Sequence, residues 1–269
     1  MDKYQHIRHW VADLPKVGRS SFSLIDAKAQ FPDVAEANLR NSLHRLSAAG
    51  KIRSVWRGFY AIVLPEYGLD GNIPPIEYID QLMAYVKADY YVALLSAASL
   101  QGASHQAPQV FQVMSDKQLR SKQVSGSQLD FAFKGNIVPA LTERKVVKSG
   151  YVTVSAPLLT ALDLVSYPSR SGGISHVAVV LSELAGSLDF SDLDAELLMS
   201  EPRATIQRLG YLLERSLGER ELAGALFEKC DEAGIRFRKT ELAPGWAEDS
   251  RGYDKKWKIG INYDVEVDE

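Results

Sequence analysis

Residues 31–63 are FPDVAEANLRNSLHRLSAAGKIRSVWRGFYAIV, and this stretch decides the fold of the N-terminal part of the chain. Leu39, Leu43 and Leu46 are spaced four and three residues apart, so they share one face of a predicted helix. Gly50 follows the last apolar turn, where a left-handed residue commonly ends a helix. The pattern therefore predicts one amphipathic helix that stops at Gly50.

The start and the polar face of this helix carry further signals. Pro32 and Asp33 form an entry turn with Asp33 as the predicted N-cap, and Glu36 stands where a capping box needs an acidic residue. The face opposite the leucines consists of Ala37, Arg40, Asn41 and His44. Arginine and asparagine side chains can reach the edges of guanine and adenine.

A tight two-stranded ribbon is predicted after this helix. The apolar positions of its two short strands are Ile52, Val55, Phe59, Ala61 and Val63. The predicted tip is Trp56-Arg57-Gly58, where glycine supplies the positive φ that a tight turn often needs.

The segment before residue 31 completes a recognisable order of elements. Lys3 to Asp13 is predicted to be a first helix, Gly18 to Ser21 a loop with capping serines, and Phe22 to Gln30 a short second helix. Three helices followed by a ribbon are typical of a winged helix-turn-helix, whose usual partner is duplex DNA.

The predicted DNA contacts follow from this arrangement. Base edges are assigned to Arg40, Asn41 and His44, whereas phosphates are assigned to the ribbon and to the start of the second helix. The complete set of predicted DNA-binding residues is Arg19, Ser20, Ser21, Arg40, Asn41, His44, Arg45, Lys51, Arg53, Trp56 and Arg57. The alternative is a winged helix that contacts proteins and has a merely solvated basic face.

Charge is distributed unevenly along the chain. Residues 1–64 hold ten Lys and Arg against five acidic residues, a net charge of +5, so the remainder carries −8 of the total of −3. A basic end of this kind favours a nucleic-acid partner.

Length and composition set the broad class. The 269 residues suit two domains, and 46% hydrophobic and 24% charged residues are ordinary for a globular protein. The single cysteine, Cys230, cannot form an internal disulfide or a cysteine-based zinc cluster. No run approaches the ~18 apolar residues of a membrane helix, and the N-terminus lacks an apolar signal core. We therefore expect a cytoplasmic protein with no membrane partner.

The expected fold class is α+β in two domains. The predicted linker is Leu64 to Pro75, LPEYGLDGNIPP, and the predicted boundaries are 1–66 for the winged helix and 67–269 for the second domain. The second domain is expected to hold a small sheet and several helices. Its Ala-rich stretch from Tyr90 to Leu100 is interpreted as a buried helix, and its charge-rich end as a terminal strand.

Several blocks of sequence resemble the AbiEi antitoxins of the AbiE abortive-infection systems. The similar blocks are RGFYAIVLPEYGLDGNIPPIEYID at 57–80, YYVALLSAASLQGASHQAPQVFQVM at 90–114, SAPLLTALDLV at 155–165, IQRLGYLLE at 206–214 and KKWKIGIN at 255–262. These blocks follow one another in the order found in the family, and the resemblance is spread over nearly the whole chain. The family pattern has a His-Gly pair where this chain has Gln101-Gly102.

This resemblance implies a non-enzymatic antitoxin of a type IV toxin–antitoxin system in phage defence. It also implies a transcriptional autorepressor that binds inverted repeats in its own promoter, where two copies could pair. The implied toxin is a nucleotidyltransferase-like protein, with direct contact left open. The alternative is a protein that neutralises the toxin by contact, through its acidic second domain, with DNA binding secondary.

Motifs for catalysis or cofactors are weak, so we expect no enzyme and no cofactor. The chain has no phosphate loop, no GxGxxG after a strand and no HExxH. A nuclease core is the remaining enzymatic alternative, and its candidates are Asp116, Asp130, Glu143 and Lys145. His105 and His176 are interpreted as a loop residue and a helix-surface residue.

Two more basic groups are candidate surfaces. Arg208 and Arg215 lie seven residues apart on one predicted helix face, with Glu214 as an expected ion-pair partner. The other group is the C-terminal cluster of Lys255, Lys256, Trp257 and Lys258.

Overall fold

The structure is a computed structural model that describes residues 3–68, 71–103, 108–191, 193–245 and 251–267. Within these residues the fold is α+β, with ten α-helices and three sheets. None of the described helices has the length and apolarity that a membrane crossing requires.

The chain divides into two compact units, each built from several segments. The first unit consists of Met1–Val92, Gln109–Ile137 and Arg144–Val154. The second consists of Ala93–Pro108, Val138–Glu143 and Ser155–Glu269. The predicted functional boundary between residues 66 and 67 stays a prediction.

The first unit begins with three helices and a small antiparallel sheet. Their bounds are α1 Lys3–Asp13, β1 Ser21–Ser23, α2 Leu24–Gln30, α3 Glu36–Ala48, β2 Ile52–Trp56 and β3 Phe59–Ile62. β3 lies between β1 and β2 and pairs antiparallel with both. Ile7 from α1, Leu39 and Leu43 from α3 and Ile52 from β2 are fully buried in one apolar cluster. The three-residue and four-residue spacing of the leucines thus produces the core expected from it.

A six-stranded mixed sheet follows, and most of its residues belong to the first unit. The bounds are α4 Ile79–Val86, β4 Tyr90–Val92, β5 Val110–Ser115, β6 Lys122–Val124, β7 Ser127–Phe133, β8 Thr142–Val147 and β9 Gly150–Ser155. The strand order is β6-β7-β5-β4-β9-β8, with β5 parallel to β7 and antiparallel to β4. Tyr90 to Val92 form a strand rather than the start of the predicted helix, because they pair with β5.

The second unit is mainly helical. Its elements are α5 Leu94–Leu100, α6 Pro157–Ser166, α7 Ile174–Leu184, α8 Ala195–Ser200, α9 Arg203–Tyr211, α10 Arg220–Glu232, β10 Thr240–Glu241, β11 Gly252–Asp254 and β12 Ile259–Ile261. A π-helical turn, Leu212–Ser216, continues α9. The three short strands form a sheet in the order β10-β12-β11.

Trp257 is the largest fully buried side chain of the second unit among the described residues. Its indole Nε1 donates a hydrogen bond to Glu214 Oε2 at 2.7 Å, and its ring meets Phe227 edge-on at 5.4 Å between centroids. Gly210 on α9 makes room for this ring. The predicted surface cluster around Trp257 is therefore wrong for the tryptophan, because its ring belongs to the core.

Candidate nucleic-acid interface

The polar face of α3 is exposed to solvent along its length. Arg40, Asn41 and His44 all lie on this face, opposite the buried Leu39 and Leu43. The geometry places three side chains with hydrogen-bonding groups next to one another on one helix surface. Such a surface is suited to the major groove of DNA.

The sequence predicted the C-terminal end of α3 correctly but not its N-terminal end. Gly50 has φ of +67°, and its amide donates to Ser47 O at 3.0 Å while the amide of Lys51 donates to Leu46 O at 2.9 Å. These two bonds are the Schellman arrangement, so the predicted left-handed stop is confirmed. The predicted N-cap at Asp33 is wrong, because α3 begins later, with Ala35 as N-cap and no side-chain cap.

Glu36, predicted as part of a capping box, instead neutralises cations of the polar face. Its carboxylate accepts from Arg40 Nη2 at 2.7 Å and Nε at 3.0 Å, and from Lys28 Nζ at 3.2 Å. The hydrogen bonds from Arg40 lower the pKa of Glu36 below its ordinary value. Arg40 is thus held on the surface in an ion pair rather than left fully mobile.

The hairpin of β2 and β3 carries the predicted phosphate contacts. Lys51 and Arg57 are exposed, at its base and its tip, whereas Arg53 is half-buried with Nε 3.4 Å from Gly71 O. Gly58 has φ of +75°, as expected for the turn. Trp56, which was predicted to belong to the tip, is the last residue of β2 and is partly buried.

The two serines of the predicted phosphate site point into the protein. Ser20 and Ser21 are 8% and 2% exposed. Both hydroxyls bond to Gln81 Oε1, and Ser20 also donates to the backbone oxygen of Glu77. Because these hydroxyl groups are buried and already hydrogen-bonded, the predicted phosphate contact at the start of the second helix does not rest on them.

The second helix starts at Leu24, two residues later than the predicted start at Phe22. Ser23 is the N-cap of α2 and forms a capping box with Asp26, whose amide donates to Ser23 Oγ at 3.0 Å. Arg19 stays exposed and pairs with the Asp26 carboxylate at 3.2 Å. Arg45 is also exposed, with its guanidinium 5.8 Å from the ring centroid of Tyr4. Sequence reasoning missed Ser23, although a serine three residues before an aspartate was the signal for it.

The other candidate sites have structural partners. Arg208 Nε donates to Glu241 O at 2.8 Å, and Arg215 Nε binds Asp254 Oδ2 at 2.9 Å. Asp130 Oδ1 accepts from Ser121 Oγ at 2.7 Å. In the described part of the chain, no three His, Cys, Asp or Glu side chains are arranged to hold a metal ion. His176 is exposed on α7, and His105 lies outside the described residues.

Comparison with known proteins gives a family match and a likeness of fold. Residues 91–215 match the family model described as AbiEi antitoxin C-terminal domain, which confirms the resemblance inferred from the sequence. The fold is similar to the crystal structure of the RV2827C protein from Mycobacterium tuberculosis, with a TM-score of 0.70 and 16% identity. That likeness covers 96% of this chain and 91% of the other. No curated protein matches this chain.

Proposed function

We propose that this chain, whose residues 91–215 match the AbiEi antitoxin C-terminal domain, is an antitoxin that also represses its own operon by binding inverted repeats in the promoter. The proposed DNA-binding domain is residues 1–66, folded as a winged helix-turn-helix. α3 would enter the major groove, and the β2–β3 hairpin would be the wing. An antitoxin family indicates a non-enzymatic role, and the proposal needs no catalytic group.

The exposed polar face of α3 is the observation that carries this proposal. Arg40 can donate two hydrogen bonds to guanine, and Asn41 can bind adenine with its amide. His44 extends the same exposed face by one turn. A core-facing leucine stripe on the other side of α3 keeps these three groups directed outward.

Phosphate contacts are assigned to cations around this face. Lys51 and Arg57 are exposed on the hairpin, Arg19 is exposed before α2, and Arg45 is exposed on the last turn of α3. Contacts of this kind position a protein on DNA without reading the sequence. Trp56 and the hydroxyls of Ser20 and Ser21 are left out of the proposed surface, because Trp56 is partly buried and the two hydroxyls are buried and hydrogen-bonded.

The partner on the antitoxin side is proposed from the family resemblance. We propose that the chain counteracts a nucleotidyltransferase-like toxin. Neutralisation by direct contact is the second candidate, and the net charge of −8 beyond residue 64 favours it for a toxin with a basic surface. Co-purification of the full chain with the toxin would support contact, whereas rescue of growth without co-purification would favour an indirect route.

Binding to DNA from upstream of its own gene tests the repressor proposal. Fluorescence anisotropy across a salt series should give tighter binding than to scrambled DNA. Arg40→Ala or Asn41→Ala should reduce the preference by about 1–3 kcal/mol. Arg220→Ala, which removes an exposed cation on α10, is the matched control. Equal losses on specific and scrambled DNA for Arg40→Ala would remove its base-reading role, and no preference by the unaltered chain would remove the proposal.

A further inference from the structure

Lys122 holds the β2 strand of the hairpin although it lies more than fifty residues further along the chain. Its Nζ donates a hydrogen bond to the backbone oxygen of Val55 at 2.8 Å. The same ammonium lies 5.8 Å from the ring centroid of Trp56. Lys122 is thus directed at the hairpin by both a charge-assisted hydrogen bond and a cation–π contact.

Phe131 supports the hairpin from the neighbouring strand. Its ring meets Trp56 edge-on, with 6.1 Å between centroids and 79° between ring planes. Phe131 is 5% exposed and lies on β7, which pairs with the β6 strand of Lys122. The indole of Trp56 is therefore contacted by a cation and by an aromatic ring that both belong to the six-stranded sheet.

The hairpin tip is held from another side by α4. The Tyr85 hydroxyl donates to the backbone oxygen of Arg57 at 3.1 Å, and the Tyr85 ring lies 5.4 Å from that of Phe59. A Cβ at Gly58 would lie 2.9 Å from the Tyr85 hydroxyl, so the turn fits closely against α4. The side chain of Arg57 remains exposed while its backbone is held.

We infer that Lys122 and Phe131 are positioning residues that hold the β2–β3 hairpin in the orientation from which it contacts DNA. The inference rests on the proposed function, since it assigns a role to groups behind the proposed wing. β2 is an edge strand of the three-stranded sheet and pairs only with β3 within it, so contacts from β6 and β7 add to how rigidly the hairpin is held. A rigid wing loses less conformational entropy on binding, and this raises affinity without any new contact to DNA.

Amide hydrogen exchange of the full chain without DNA tests the support itself. Lys122→Met removes the donor and keeps an apolar stem, so the amides of residues 52–62 should exchange roughly ten-fold faster. Lys122→Arg keeps a charged donor and should restore protection. Arg120→Met removes an exposed cation of the preceding loop and is the matched control. Unchanged exchange in Lys122→Met would overturn the inference.

Phe131→Leu tests packing against Trp56 without a change in net charge, so its effect cannot come from the loss of a cation. It should also speed exchange of residues 52–62, with α1 protected as in the unaltered chain. Loss of protection throughout the chain would indicate general unfolding, and Lys122→Met and Lys122→Arg then decide the question. A hairpin that stays protected in both Phe131→Leu and Lys122→Met would contradict the assigned role.

Hydroxyl-radical footprinting on promoter DNA tests the consequence for binding. Lys122→Met should lose protection on the DNA flanks touched by the hairpin and retain protection at the bases read by α3. If the unaltered chain selects its promoter but Lys122→Met leaves an identical footprint and affinity, the inference fails and the proposed function stands. If the unaltered chain selects no DNA, the proposed function fails, and with it the DNA role of the supported hairpin. Accelerated exchange would then show a structural support alone.

Discussion

Glu36 controls how much positive charge the polar face of α3 carries. It is hydrogen-bonded to both Arg40 and Lys28, and the Arg40 contacts keep its pKa below the ordinary value. The carboxylate is therefore ionised at neutral pH, and in the proposed complex it would compete with DNA phosphate for the same two cations. In the proposed function, this competition would weaken non-specific binding to DNA, whereas a correctly placed base would still attract Arg40.

Replacement of Glu36 by glutamine should strengthen binding to every DNA sequence. The change frees cations for phosphate, and the salt dependence should steepen by roughly 0.9 for each cation that gains a phosphate. Anisotropy titrations across a salt series would measure both effects. Glu228→Gln, an exposed acid on α10, is the control. An unaltered salt slope for Glu36→Gln would mean that Arg40 and Lys28 do not approach the phosphates.

Gly210 permits the close approach of α9 to Trp257. A Cβ at this position would lie 2.2 Å from atoms of the indole ring, which is fully buried and cannot move aside freely. Gly210→Ala should therefore lower the free energy of unfolding by about 1–3 kcal/mol through overpacking. Urea denaturation followed by circular dichroism would measure it.

The control for this change is another helical glycine with open space around it. A Cβ at Gly224 on α10 has no heavy atom within 4 Å. Gly224→Ala should raise stability by up to about 1 kcal/mol, because alanine favours the helix. Equal effects of the two substitutions would contradict the packing argument for Gly210.

At the scale of elements, α3 and the hairpin were predictable because their signals are local. The leucine spacing, the stop at Gly50 and the turn at Gly58 depend on residues a few positions apart, and the structure has all three. The start of α3 was not predictable from Asp33, since a good capping residue does not by itself determine where a helix begins.

Elements whose partners are distant in sequence were predicted less well. Tyr90 to Val92 form a strand because of pairing with β5, some twenty residues away. The burial of Ser20 and Ser21 depends on Gln81, which no local pattern connects to them. The same holds for Trp56 and Lys122, whose contact with each other was not visible in the sequence.

The hairpin as an element should contribute affinity without sequence preference. Arg57→Ala removes an exposed cation from the tip while the backbone oxygen stays bonded to Tyr85. Binding to promoter and scrambled DNA should weaken about equally, and the salt slope should flatten by roughly 0.9. Titrations on both DNAs measure this. A loss confined to promoter DNA would instead make Arg57 a base-reading residue.

At the scale of the whole molecule, residues 1–66 contain their own apolar core, but the side chains that hold the hairpin in place lie outside this segment. The cluster around Leu43 and Ile52 lies within this segment, whereas Gln81, Tyr85 and Lys122 lie beyond it. A 1–66 fragment should therefore fold and yet bind promoter DNA more weakly than the full chain. Parallel anisotropy titrations of the two proteins measure the difference. Equal affinity would show that the later residues add nothing to DNA binding.

Cys230 should report unfolding of the second unit. Its thiol is buried in α10, and burial raises its pKa to about 12. Since the thiolate is the reactive form, modification by a disulfide reagent at pH 8 should be slow in the folded protein and fast in denaturant. Fast modification of the folded chain would mean that α10 opens readily.

The support beneath the hairpin limits how relatives of this protein could exchange parts. Lys122 and Phe131 lie within residues 91–215, the span that matches the antitoxin domain, yet they contact Val55 and Trp56. A chimera joined at residue 66 would place the hairpin of another protein against Lys122 and Phe131, which in this chain contact Val55 and Trp56. If the proposed function holds, a change of DNA specificity that keeps these contacts is expected from substitutions on α3 rather than from exchange of the whole N-terminal domain.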